Sequence, residues 1–405
     1  MSRTLPALLI VAALVAGTVG CVLLPSGEIR TWHDLHAIRY NPSGQHRLVN
    51  DLDSASPGYE RLAGPEANQG RGWRPIGTRA SPFTGTFDGQ GYEIRDLFIE
   101  RPSEGDIGLF GEVAEGAVIQ NAGVVNVTVT GWYAVGGVVG FNRGMVINCY
   151  ATGHMSESPY GIGNTTVSND GDMMGSREAT AGNAYTPPSP KAGGSVGGLV
   201  GDNSGTVSNS YSNGSVTGST GVGGLVGRNS GTVTHSHSAG NVTGHWGVGG
   251  LVGWNREGIV GDSYATATVT GPWAGGLVGD NNGTVRNSYS TGTVSGGNYV
   301  GGLVGNNKGI VRNCYSVGRV SGTERVGGLV GAHDTGGVLS SFWDVETSGM
   351  EESAGGTGKT TADMMDITTF TRWDIVAVGL GETDATYTWN IVDGQTYPFL
   401  SWEVV

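Results

Sequence analysis

The sequence predicts an all-β protein, a parallel β-helix (β-solenoid) with 26-residue coils, capped at both ends. Three observations predict it: a glycine repeat of fixed period, short β-branched segments between turn residues, and no helical period. Gly-Gly pairs opening a (Val/Ala)-Gly-Gly-(Leu/Val)-Val-Gly unit begin at Gly136, Gly197, Gly223, Gly249, Gly275, Gly301 and Gly327, and the last six are 26 residues apart. Self-similarity at such a period marks a stacked repeat array. The step from Gly136 to Gly197 is 61 residues, one repeat plus a 35-residue insertion, and Ile107-Gly108-Leu109-Phe110-Gly111 is a weaker first copy. No segment carries the 3.6-residue helical period over a useful length.

Other positions keep step. Asn142, Asn203, Asn229, Asn255, Asn281 and Asn307 recur five residues after the second glycine, until His333 breaks the series. Asn209-Ser210-Tyr211, Asp262-Ser263-Tyr264, Asn287-Ser288-Tyr289 and Asn313-Cys314-Tyr315 follow a Gly-Thr-Val-like segment. Each unit thus reads as three short strands between glycine or asparagine turns. Three strands cannot bury their own apolar face. As one turn of a coil, they pair in parallel with the next unit at ~4.8 Å. Valine and leucine then fill the interior, the fixed Asn forms an amide ladder, and glycines supply positive φ at turns. A β-propeller blade needs four strands and about 40 residues; 26 is too few.

Composition agrees. The 405 residues include 75 glycines and ten tryptophans, only 14 % are charged, and lysine occurs at Lys191, Lys308 and Lys359 alone. The formal charge of −13 and the lack of a basic stripe exclude nucleic acid as a partner, since phosphate binding needs clustered Lys and Arg. Residues 1–26 read as a signal peptide or a membrane or lipid anchor. Arg3 precedes an apolar run from Leu5 to Leu24, and Thr18-Val19-Gly20-Cys21 loosely resembles a lipoprotein signal with Cys21 acylated. A cleaved signal or an uncleaved anchor remain alternatives; all place the rest of the chain at the cell surface or outside the cell. Residues 27–106 form an N-terminal cap and irregular first coils, 107–345 the repeat with an insertion loop at about 154–192, and 346–405 a C-terminal cap.

The unit Val-Gly-Gly-Leu-Val-Gly-x-Asn-x-Gly-x-Val resembles the GLUG motif over about residues 107–345. The flanks Pro82-Phe83-Thr84-Gly85-Thr86-Phe87-Asp88-Gly89-Gln90-Gly91 and Gly394-Gln395-Thr396-Tyr397-Pro398-Phe399-Leu400 also resemble sequences that accompany such arrays. The resemblance implies an exported, adhesin-like surface protein of bacteria or archaea. GLUG arrays also occur in some immunoglobulin A peptidases, but the chain has no HExxH motif, so that peptidase domain is absent. No settled activity comes with the motif.

Candidate chemistry is sparse. Cys149 and Cys314 take the serine place of the Asn-Ser-Tyr unit at least five layers apart, about 24 Å at the stacking distance. They read as separate free thiols, because a disulfide needs Cα atoms within about 7 Å. Gly355-Gly356-Thr357-Gly358-Lys359-Thr360 imitates a phosphate loop but has Ser353 where a glycine is required. Gly193-Gly194-Ser195-Val196-Gly197 fits a serine-hydrolase elbow by accident of composition. His235 and His237, two apart, share a strand face and with Asp262 make a weak zinc candidate, against the plainer reading as variants at ladder positions. Asp170-Gly171-Asp172 is a weak calcium signal. No cofactor is implied. The carboxylates Asp202, Glu257, Asp262, Asp280 and Glu324 share no ladder position, which argues against a polysaccharide lyase or hydrolase. Asn126, Asn164, Asn213, Asn241 and Asn282 match the glycosylation acceptor pattern.

The aromatic residues carry the functional expectation. Trp246, Trp273 and Tyr299 stand before the Gly-Gly of successive coils, Trp132-Tyr133 earlier, and Trp254 follows the same strand in one coil. On a shared edge they form a stripe on which a carbohydrate or a protein or cell-envelope partner stacks; alternatively they cap their own coils. The reading is a non-catalytic extracellular surface protein for adhesion or ligand binding, with a polysaccharide-degrading β-helix enzyme and a purely structural envelope component as alternatives.

Overall fold

The structure, a computed structural model, describes residues 27–158 and 194–403; the candidate lipidation residue Cys21 and the candidate calcium segment Asp170-Gly171-Asp172 lie outside the described residues. The repeat is a parallel β-solenoid. Long sheets of 11, 8, 8 and 14 strands run the length of the stack. The coil from Trp246 illustrates them in order. Trp246–Gly249 lies in the first sheet, Val252–Asn255 in the second, Ile259–Gly261 in the third, and Tyr264–Ala265 with Thr268–Thr270 in the fourth. The coil therefore has four faces rather than three. The Gly-Gly-Leu corner bends the chain so sharply that the apolar run around it splits between the first and second sheets.

The register is strict: Val200 pairs with Val226, Val252 follows, then Val278, Val304 and Val330. Like therefore stacks on like. One buried core runs from Ile29 to Trp343, and burying each Val or Leu in it contributes about 1.5–3 kcal/mol before ordering costs.

The repeated glycines answer to space, not to positive φ. At Gly249 a Cβ would overlap the carbonyl oxygen of Val252, and at Gly250 that of Gly276 in the next coil. Ser238 fills the room beside Gly224 and donates to the Gly250 carbonyl at 2.5 Å. One left-handed column is Asn148, Asn209, His235, Asp262, Asn287 and Asn313, with φ of 46–54°, mostly residues whose short polar side chains tolerate that region; another, in the first sheet, is Gly221, Gly247, Tyr299 and Arg325, with φ of 52–60°.

The Asn ladder forms as expected, but inside the core. Asn142, Asn203, Asn229, Asn255, Asn281 and Asn307 are fully buried. Each Nδ2 donates to the Oδ1 of the next at 2.8–2.9 Å, and Asn307 meets His333 Nδ1 at 3.1 Å.

Both ends are closed. At one, the helix Trp32–Ala37, started by a Thr31/Asp34 capping box, buries Trp32 and Leu35. At the other, Trp343 lies against Gly328 and Ser353 Oγ accepts from Leu329 N and Val330 N. The tail then leaves the end and folds back along the fourth sheet. Met364, Phe370, Trp373, Trp389, Ile391 and Leu400 pack there against Tyr289 and Tyr315. Strand pairing also continues through Glu157, so His154 to Glu157 belong to the ladder and not to the insertion.

Removing one rung should be costly. Asn255→Ala leaves Asn229 Nδ2 and Asn281 Oδ1 without their partner, at about 1–3 kcal/mol per buried unsatisfied group. Denaturant unfolding should show that loss, while exposed Asn282→Ala stays within about 0.5 kcal/mol of the parent.

Candidate ligand-binding surface

The first and second sheets meet at a corner along the solenoid. In register with one another, Gly221, Gly247, Trp273, Tyr299 and Arg325 precede Val222, Val248, Ala274, Val300 and Val326 of the first sheet. Seven residues on, Arg228, Trp254, Asp280, Asn306 and Ala332 form a column of the second. The two columns face each other, because a Cβ at Gly247 would overlap the Trp254 indole and one at Gly221 would touch it at 3.4 Å. Sizes are complementary: glycine faces Arg228 and Trp254, whereas Trp273, Tyr299 and Arg325 face small partners.

Three expected aromatics come together. Trp246 and Trp273 have ring centroids 4.4 Å apart at 71°, and Trp273 and Tyr299 4.6 Å apart at 49°. All three are half-buried. Arg325 ends the row, with its guanidinium 4.7 Å from the Tyr299 centroid and a 2.6 Å hydrogen bond to the Tyr299 hydroxyl. Trp254 does not join them. It is 7 % exposed, covers the two bare glycines, and carries Arg256 on its ring at 4.6 Å. Tyr133, earlier in the first sheet, binds elsewhere: its hydroxyl donates to Asp202 Oδ2 at 3.1 Å and accepts from Arg228 at 2.8 Å.

Sequence reasoning missed the residues facing that rim. Asn306 is 2 % exposed; its Nδ2 donates to Asp280 Oδ2 at 3.1 Å, and its Oδ1 has no hydrogen-bond partner. Burial raises the Asp280 carboxyl above its usual range, against the hydrogen bond from Asn306. Trp246 Nε1 is a second unpaired polar atom. The seven-residue spacing, with large opposite small, was the signal available.

The column also corrects the reading of the acids. Glu112, Asp202 and Asp280 do share one ladder position. Asp202 and Asp280 lie three coils apart, however, about 14 Å, with Arg228 and Trp254 between them. Paired-carboxylate hydrolysis needs roughly 5–9.5 Å. Asp202 is ion-paired to Arg228, and Glu112 to Arg143 at 2.5 Å.

A second aromatic row runs on the fourth sheet. Tyr150, Tyr211, His237, Tyr264, Tyr289 and Tyr315 stack at 4.8–5.0 Å within 11° of parallel. Of the zinc candidates, His237 is held between Tyr211 and Tyr264, with burial lowering its pKa. His235 sits at a left-handed corner, bonded to Thr234 Oγ1 at 2.9 Å, and both imidazoles lie against Trp402, with ring centroids 6.0 and 6.3 Å away. Asp262 pairs with Arg286 at 3.1 Å. Among the described residues no group of three His, Cys, Asp or Glu side chains is placed to hold a metal. Thr357–Lys359 is a ladder strand, not a phosphate loop, and Ser195 is buried just before Val196–Gly197.

Cys149 and Cys314 are buried and unbridged. Cys149 N bonds Ser210 Oγ, as Ser210 N bonds Ser236 Oγ in the next coil. Burial pushes both thiols up to about 12. Iodoacetamide at pH 8 should therefore leave both unmodified in native protein and alkylate both in denaturant, as peptide mass mapping would read.

Comparison with known proteins follows this geometry. The GLUG motif matches residues 133–155, 244–270 and 296–321. Halomucin of Haloquadratum walsbyi is 34 % identical over 128 residues, 31 % of this chain and 1 % of halomucin. A protein of Evansella cellulosilytica, provisionally described as a Gly-rich membrane protein, is 37 % identical over 113 residues, 27 % of this chain and 12 % of that protein. The chain thus spans a small part of these relatives' length. A Bacteroides ovatus structure, provisionally described as an immunoglobulin A1 protease, aligns at a TM-score of 0.42 and 17 % identity over 93 % of this chain and 92 % of that one. An IgA1 protease aligns at 0.43 and 18 % over 78 % of this chain and 21 % of that one. Likenesses this distant carry no argument about activity. No helix among the described residues is long and apolar enough to cross a membrane. The chain carries GLUG-motif repeats, each built as one coil of a parallel β-solenoid.

Proposed function

We propose that this chain is a non-catalytic, cell-surface or extracellular scaffold that binds carbohydrate through the Trp246–Trp273–Tyr299 rim. The observation that carries this reading is the angle between the rings. Half-buried rings meeting at 71° and 49° do not stack face to face on one another, and sugar C–H groups pack on aromatic faces. The tyrosine row of the fourth sheet is the internal contrast: a parallel stack spends its faces on itself and turns only edges outward. Asp280, across the corner from the rim, adds a carboxylate of the kind that orients hydroxyls.

A surface location draws support from the relatives, one named halomucin and the other described as a membrane protein. The N-terminal run ending near Cys21 agrees with export, through a lipid anchor on Cys21 or a cleaved signal. Cell fractionation of Cys21→Ser separates these: release from the membrane fraction supports the anchor.

The binding test is a glycan array with the parent protein and with Trp246→Ala/Trp273→Ala. Binding should fall at least tenfold in the double variant while its β-rich circular dichroism is unchanged. No binding to any glycan, or equal binding by both proteins, would overturn the proposal.

A further inference from the structure

The returning tail leaves a groove of about 370 Å³ between itself and the corner of the third and fourth sheets, lined among others by His235, Asp262, Arg286, Asp374, Tyr387 and Trp402. It shares no residue with the rim. Its floor is the column of left-handed corners. At His235, Asp262 and Asn287 φ is 46–51°, which breaks the alternation of the flanking strands.

Asp262 ties the groove together. Its carboxylate takes Arg286 at 3.1 Å and Asn287 Nδ2 at 3.0 Å, and its carbonyl accepts from Trp402 Nε1 at 3.1 Å. Arg286 has room because its neighbour in the preceding coil is Gly261, where a Cβ would stand 3.2 Å from the guanidinium carbon. The equivalent places two coils back and one coil on carry Thr234 and Arg312. Across the groove, Asp374 Oδ2 accepts from Thr388 N and Oγ1, both at 2.9 Å.

Among the described residues these bonds leave a mixed set unspent: most Arg286 N–H donors, Asp374 Oδ1, and the second ring nitrogen of His235. Two aromatic walls flank them. Tyr387 is 37 % exposed, and Trp402 is fixed by stacking on Tyr264 at 5.7 Å. Two carboxylates against one guanidinium disfavour an anion, and the alternation of donor and acceptor disfavours a purely apolar guest. Hydroxyls that both give and accept satisfy such a set, and a ring with C–H faces satisfies the walls. The volume is that of a small-ligand site.

We infer that this groove is a second binding site, for a neutral pyranose. It exists only because the tail folds back, so the GLUG coils and the C-terminal segment each supply half of it.

The test uses the rim-silenced Trp246→Ala/Trp273→Ala protein, so that failure of the rim reading does not touch it. Saturation-transfer NMR with methyl β-glucoside, methyl β-galactoside, N-acetylglucosamine and glucuronate measures binding. At least one neutral sugar should bind, glucuronate should bind at least tenfold more weakly, and Arg286→Gln should weaken the neutral sugar at least tenfold. Tyr387→Ala, at an exposed side chain, should do the same should Arg286→Gln fail to fold. Absence of binding by every neutral sugar, preference for glucuronate, or binding unchanged in Tyr387→Ala would overturn the inference.

Discussion

In-register parallel pairing makes every position of one coil meet the same position of the next, and the rest of the structure depends on it. Hydrophobic positions become continuous aliphatic columns. A polar residue repeated at one place becomes a ladder whose members satisfy one another, which is why six asparagines can lie in the core. Each Asn supplies donors and an acceptor, so it can give to one neighbour and receive from the other. A serine column does the same for backbone N–H groups, and a cysteine fits there because its sulfur reaches the carbonyl two residues back, as Cys314 Sγ does to Arg312 O at 3.2 Å.

The same pairing turns sequence variation into surface. The core columns stay nearly constant, so differences between coils appear where the first and second sheets face each other and at the left-handed corners. At the first of these places Gly247 opposite Trp254 gives way to Trp273 opposite Asp280, and an aromatic rim rises over small polar partners. At the second, Asn209 gives way to His235 and Asp262, which line the groove under Trp402. The proposed binding surfaces are departures from the repeat on a scaffold built by the repeat.

Much of the fold was legible because the constraint is written as a period. Glycine spacing fixed the coil, and the asparagine series marked a ladder before any coordinates. Three things were not legible, each for a physical reason. The fourth face was hidden because Gly-Gly-Leu looks like a continuous apolar strand, while its glycines let backbone approach backbone at a bend. The tail's course was hidden because Trp373, Trp389 and Trp402 lie outside the repeat, and only contact with Tyr264, Tyr289 and Tyr315 tells where they go. The site was half visible: the aromatics were identifiable by place, but Trp254 was grouped with them because a column of the second sheet reads like one of the first until the corner is known.

If each coil is stable only through its neighbours at matching positions, length should be adjustable in whole coils and not otherwise. Excising residues 198–223 joins Gly197 to Gly224 and restores every register, whereas excising 198–210 puts each column out of step. Thermal unfolding followed by circular dichroism tests this most directly. The account predicts a single cooperative transition with parent-like β content for the 26-residue excision and no folded state for the 13-residue one. Equal tolerance of both excisions, or separate melting of independent units, would contradict it.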